Sequence, residues 1–415
     1  MKSSIRVKLS VMMFLEFFIW GGWFVTLGTY LSANLQASGT QSAAAFSTQC
    51  FGAIIAPFII GLIADRYFNA EKILGILHIV GAILMYQMFI STDFAGFYPY
   101  VFGYMILYMP TLALVNSVSF NQMSNPEKDF GNIRVWGTIG WIVAGLLISY
   151  AFHWDTEANL QQGLLKNTFL MTAIASLVLG LYSFGLPKTP PKAVRGEKVK
   201  LSEVLGLDAL KLLKDKNYLI FFISSILICV PLAFYYQNAN PFLSDIGLAN
   251  PTGKMTFGQM SEVLFMLLLP VFFTRFGLKK TLALAMAAWV IRYLLFAYGN
   301  AGDLSYMLII GIALHGACYD FFFVAGQIYT DAKAGPKYKS AAQGLITLAT
   351  YGVGMLVGFW LAGGITDAYK TAAGTEDWKQ IWTFPAIIAL AVLILFMIFF
   401  KQEKKLVPEQ TQVPA

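Results

Sequence analysis

Twelve stretches of roughly twenty apolar residues, grouped six and six around one basic connector that bears three prolines, leave a membrane-embedded helix bundle as the expected fold. A hydrocarbon core about 30 Å thick is crossed by ~20 helical residues rising about 1.5 Å each. Spans are expected at 8–31, 41–64, 70–91, 97–121, 131–152, 168–186, 217–240, 256–274, 280–299, 303–330, 340–366 and 379–401. Residues 1–186 then form one six-helix bundle, 187–216 a linker, 217–402 a second bundle and 403–415 a short tail. Pro187, Pro190 and Pro191 block helix continuation at the linker's start. Its second half, around Val204, Leu207 and Leu210, reads either as a short amphipathic helix on the inner membrane surface or as a solvated spacer.

Composition excludes a water-soluble globule. Hydrophobic residues make up 57% of the chain and charged ones 12%, against about 25% charged in soluble domains. The net charge of +7 needs no nucleic acid, because the cations are sorted by side. With a cytoplasmic N-terminus, Lys2, Arg6, Lys8, Arg66, Lys72, Lys128, the linker's cations, Arg275, Lys279, Lys280, Lys333, Lys337, Lys339, Lys401, Lys404 and Lys405 all face inward. The outward loops keep Lys166, Lys254, Lys370 and Lys379. This is the positive-inside pattern. It places both termini of a multi-pass membrane protein, expected to be a monomer, in the cytoplasm. The stretch 8–31 is too long for a cleaved leader and reads as the first helix. Cys50, Cys229 and Cys318 show no disulfide or metal-ligand spacing, and no metal or cofactor is expected.

After the second span, "GLIADRYFNAEK" carries Gly61, Asp65 and Arg66. This resembles the G-x-x-x-D-[RK] loop of the major facilitator superfamily, whose members have 6 + 6 helices around a central cavity. By that resemblance, Asp65 and Arg66 latch the cytoplasmic mouth as gating residues. Small residues such as Gly137, Gly140, Gly354 and Gly358 let helices approach closely in lipid, for packing or for sliding.

Ionisable side chains inside spans cost at least ~2.5–3.5 kcal/mol and normally face a cavity or a partner. On the fifth span, Arg134, Thr138 and Trp141 share one helical face. Arg offers a planar fork of donors and Trp a stacking plate, suited to a polar, ring-bearing solute; the alternative is Arg134 snorkelling to headgroups. On the eighth span, Gln259 and Glu262 share a face, for solute contact, a pair with Arg134 or a plain inter-helix hydrogen bond. The tenth span sets His315 and Tyr319 on one stripe with Asp320 beside them among phenylalanines. Desolvation penalises any carboxylate's charge, so Asp320 suits proton coupling, through linkage between proton and solute. An ion pair with Arg292 or Arg134 is its bland alternative. In the seventh span, Ala233, Tyr236 and Asn240 share a face, and Pro241 is expected to end the helix at an outer gate. Glu16, Arg292 and Asn116 read as packing pairs.

With these residues in view, the chain resembles the bacterial nucleoside:proton symporter family. The likeness runs through "EFFIWGGWFVTLGTY", "YMPTLALVNSVSF", "IRVWGTIGW", "QMSEVLF", "AWVIRYLLFAYG" and "GACYDFF". The resemblance implies proton-coupled nucleoside uptake by alternating access, with Arg134, Thr138, Trp141, Gln259, Glu262, Tyr319 and Tyr236 around the nucleoside. Asp320 and Glu262 are then the proton-coupling carboxyls. Trp141, Ala233 and Tyr236 depart from the family pattern, which expects a smaller aromatic and amides there. Oligosaccharide:proton symporters share the Arg, Gly and Trp arrangement of the fifth span and give the nearest alternative. A transporter-like sensor of solute would carry the same cavity. A membrane enzyme is not expected, since no nucleophile–base pair is legible.

Overall fold

The computed structural model describes residues 2–59, 68–124, 129–191, 207–372 and 374–402. Among the described residues the chain is nearly all helix and forms no strand, apart from one isolated bridge between Lys370 and Glu376. Nine of the described helices are long and apolar enough to cross a membrane. One of them, Pro251–Tyr298, spans 48 residues, about 72 Å at helical rise and more than twice a bilayer core. It breaks at Gly277, where φ is 73° and ψ 171°. That left-handed geometry suits a residue without a Cβ, and it separates the eighth sequence span from the ninth. Ser3–Gly21 and Gly39–Ile59 occupy the first two spans. Side chains such as Leu267 (72% exposed) and Ile398 (66%) lie bare on the outside of the bundle, as a lipid-facing surface requires. Asp65 and Arg66, the expected gating pair, lie outside the described residues.

Close helix contacts follow the small residues. The first and fifth spans meet where Gly140 lies on the backbone of Phe14 and Phe18, and Gly137 on the ring of Phe17. The seventh and eleventh meet where Gly358 lies on Ala233 and Val230. These glycines are packing positions. Gly140→Val would drive two methyls into the first span's backbone and is expected to cost about 1–3 kcal/mol of stability. A lowered melting midpoint in detergent checks it; an unchanged midpoint would mean the two helices do not meet there.

The structure corrects one sequence expectation. Pro241 does not end the seventh helix, which runs Lys216–Asp245 with Pro231 and Pro241 inside. Proline removes the N–H that would bond to the carbonyl four residues back, here that of Gln237, and Gly28 of the first span packs against that oxygen and the proline ring. The linker's described end, Leu207–Lys214, is a short 3₁₀ helix. Ala209 joins Ala334, Ala342 and Leu345 in a small apolar cluster.

On the face opposite the linker, two helix starts are capped from across the molecule. Asp367, at the end of the eleventh span, accepts from the backbone N–H of Gly39 (2.6 Å) and Thr40 (2.8 Å), which open the second span. Asp155, between the fifth and sixth spans, accepts from Thr252 N–H (3.0 Å), and Ser149 Oγ accepts from Gly253 N–H (2.7 Å), at the start of the eighth. Ser149 also donates to Asp155. Thr29 Oγ1 donates to Asn240 Oδ1 (2.5 Å), joining the first span to the seventh. In each case a member of the first six spans is tied to a member of the last six.

Candidate substrate cavity

The fifth helix begins at Gly131, so Arg134 lies in its first turn with Thr138 and Trp141 following on the same face. That face turns inward because Gly137 and Gly140 bring the helix onto the first span. Arg134 does not snorkel. Its guanidinium carbon lies 4.0 Å from the centroid of Phe17, within cation–π range. Trp141 meets Trp20 edge to face at 5.5 Å, and Trp20 meets Tyr108 the same way at 5.7 Å. The result is an aromatic wall with a cation at one end.

From the other side come the seventh, eighth and tenth spans. Gly316 lies so close to Ser261 and Glu262 that a Cβ would stand 2.5 Å from the Ser261 carbonyl carbon, and its N–H donates to Ser261 Oγ at 3.0 Å. Gly258 likewise lies against His315. This tight crossing brings His315 Nε2 to 3.0 Å from Glu262 Oε1. Tyr319 and Tyr351 share a hydrogen bond of 2.5 Å between their hydroxyls, and Tyr236 packs on Phe24 of the first span.

One cavity of about 140 Å³ collects these groups. The residues named from the sequence as solute contacts, Arg134, Thr138, Trp141, Tyr236, Gln259, Glu262 and Tyr319, all line it. Asp320 does not line it. It opens a π-helical turn, Asp320–Val324, directly after Tyr319 and is 1% exposed. Both its carboxyl oxygens lack a hydrogen-bond partner among the described residues. Neither bland ion pair forms: Arg292 instead holds His315 Nδ1 at 2.9 Å. Glu16 is a packing group, bound to His78 Nε2 (2.8 Å) and Thr111 Oγ1 (2.6 Å). Sequence reasoning missed Gln49 and Tyr351 as lining residues and set His315 on a stripe without giving it a role, though it too lines the cavity. Gln49 was findable as a polar side chain within an apolar span; its Oε1 is buried beside the cavity without a partner among the described residues. A larger polar cavity of about 190 Å³ lies nearer the capped face, lined among others by Gln237, Asn238, Asp245 and Asp367.

A chamber with one fixed donor fork, one carboxylate, amides and an aromatic wall can hold a neutral, hydroxyl-bearing, planar solute. The comparisons agree with that chemistry. The family model described as "Nucleoside H+ symporter" matches residues 1–405. The chain belongs to the nucleoside H+ symporter family. Within this transporter family it is 44% identical to the putative nucleoside transporter YegT of Escherichia coli (strain K12) over 95% of this chain and 93% of that one. It is 33% identical to the xanthosine permease of the same organism over 96% of each. The crystal structure of the nucleoside transporter NupG superposes with a TM-score of 0.85 at 29% identity, covering 96% of this chain and 100% of that one. The symporter fold is thus the major facilitator architecture expected from the sequence.

Proposed function

We propose that this symporter carries nucleosides inward with protons by alternating access. The observation that carries the reading is the convergence of Arg134, Thr138, Trp141, Tyr236, Gln259, Glu262 and Tyr319, from both sets of spans, on one cavity. Arg134, Thr138, Gln259 and Glu262 hydrogen-bond the solute, while Trp141, Tyr236 and Tyr319 pack on its rings. A cation and a carboxylate facing the same space favour an uncharged ligand, a nucleoside over its phosphorylated forms. Asp320 handles the proton, which is the coupling ion; no cofactor is needed. Residues 1–186 and 217–402 act as the two rocking bodies joined by 187–216. The protein works as a monomer in the bacterial inner membrane, with both termini and the 403–415 tail in the cytoplasm.

Uptake of labelled uridine, adenosine, xanthosine and lactose by proteoliposomes under an imposed pH gradient tests this. Nucleoside accumulation supports it; a lactose-only signal would sink it. Within that assay, Trp141→Ala is expected to raise the half-saturation concentration about 5- to 150-fold, since stacking a base on an aromatic ring is worth about 1–3 kcal/mol. An unchanged value would remove Trp141 from the binding face.

A further inference from the structure

His315 is 1% exposed and sits between two charged groups. Arg292, 0% exposed on the ninth span, places Nη1 2.9 Å from His315 Nδ1. On the other edge of the ring, Nε2 lies 3.0 Å from Glu262 Oε1, and the Glu262 side chain keeps 23% exposure toward the cavity. A guanidinium has donors and no acceptor. Nδ1 must therefore accept, so it carries no proton and the ring is neutral. The single ring proton is left on Nε2, aimed at the carboxylate, which accepts it. Such fixing of one ring nitrogen by the bond at the other is how histidine tautomers are set. The ring has little freedom to turn: Tyr235 stacks on it at 5.1 Å and 26°, the Arg292 guanidinium carbon lies 3.5 Å from the Tyr235 centroid, and Gly258 backs its Cβ.

We infer that His315, locked in its Nε2–H tautomer by Arg292, is a positioning residue that holds Glu262 as a hydrogen-bond acceptor facing the solute. The inference rests on Glu262 being a solute contact and adds His315, which itself lines the cavity, and Arg292 behind it; the role needs neither to touch the solute. It also assigns Arg292 a task. The guanidinium is spent on selecting a tautomer, and Glu262 then presents its free oxygen at a fixed angle to a donor group of the incoming molecule. Without the chain, an exposed carboxylate beside Arg134 would be free to swing toward that cation and close the cavity on itself.

Two amides separate the roles. Gln carries an N–H out to where Nε2–H lies but offers Arg292 nothing at Nδ1; Asn reaches the Nδ1 position and stops short of Glu262. Nucleoside uptake by purified protein in proteoliposomes should show His315→Asn raising the half-saturation concentration about tenfold, the scale of a hydrogen bond to a charged group, with maximal rate within about twofold. His315→Gln should recover to within about threefold of the native value. In a Glu262→Gln background, His315→Asn should add nothing further, because residues acting through one another are not additive. Equal damage by Asn and Gln, or full additivity with Glu262→Gln, would overturn the assignment. A second measurement needs no variant to fold. Solid-state nitrogen NMR of the native protein labelled at its three histidines should show His315 neutral with a bare Nδ1, and a proton on Nδ1 would refute the proposal. If the native protein carries no nucleoside at all, the functional reading fails while the tautomer test still stands by itself.

Discussion

Asp320→Asn is expected to abolish pH-driven accumulation while leaving nucleoside binding and exchange in place. The reasoning starts from its setting. Phe321 packs on Phe265 and Phe272 of the eighth span, and Phe322 packs on Phe221 of the seventh. Asp320, directly before them in the chain, is 1% exposed, and both its carboxyl oxygens lack a protein hydrogen bond among the described residues. An ionised carboxylate left so would be far costlier than the neutral acid, so this conformation accepts Asp320 with its proton on. On the proposed mechanism, a conformation that wets the residue from the other side would let it go, and that difference would link proton flow to solute flow. A π-helical turn begins at Asp320, and such turns recur at functional positions. With one proton per solute, each pH unit supplies 1.36 kcal/mol and sustains about tenfold accumulation. The Asn variant has no proton to trade, so its ratio should fall to one while counterflow of labelled nucleoside between equal pools continues. Accumulation at the native ratio would show that the proton travels elsewhere, with Glu262 the next candidate.

What the sequence disclosed, and what it hid, follows from how local each signal is. Arg134, Thr138 and Trp141 lie within eight residues on one helix, so helical periodicity alone puts them on a shared face, and membrane cost alone says that an arginine there needs a reason. Gln259 and Glu262 were readable in the same way. That these faces would meet was an inference from the 6 + 6 pattern. Pairings were not readable. A pair with Arg134 was one reading of Glu262 and an inter-helix hydrogen bond another; its partner is His315, because the Gly258 and Gly316 crossing brings the eighth and tenth helices into near-backbone contact. Arg292 was read as a packing group, which is correct in kind, but the residue it packs against depends on three helices at once. Pro241 was misread because proline in a helix is locally penalised, whereas here tertiary packing, with Gly28 from a distant segment close against the proline ring, holds the helix on to Asp245. Asp155 and Asp367 drew no notice at all. Both sit at span ends, where carboxylates are ordinary, and their partners are backbone N–H groups, which leave no trace in side-chain identity.

Those two carboxylates carry the second large expectation. The start of any helix exposes unpaired N–H groups and about half a positive charge, and a carboxylate capping it contributes about 1–2 kcal/mol. Here the caps are exchanged between the two sets of spans: Asp367 of the eleventh closes on the second, Asp155 beside the fifth closes on the eighth. They can form only while the face opposite the linker is shut. Opening that face would strand both carboxylates from their N–H partners, so the bonds bias the conformational equilibrium without touching the solute cavity. Removing both, as Asp155→Ala with Asp367→Ala, is expected to shift the ratio of open to shut on that face by about 2–4 kcal/mol, or roughly 30- to 1000-fold. Spin labels at exposed Gln161 and Asp303, introduced as Q161C and D303C, report the separation of the two bundles on that side. A new population at longer distance, appearing in the double variant and at intermediate weight in each single one, is the expected reading. Distances that stay fixed in all three would mean that these caps only finish their helices, and that other contacts, Thr29 with Asn240 first among them, keep the face shut.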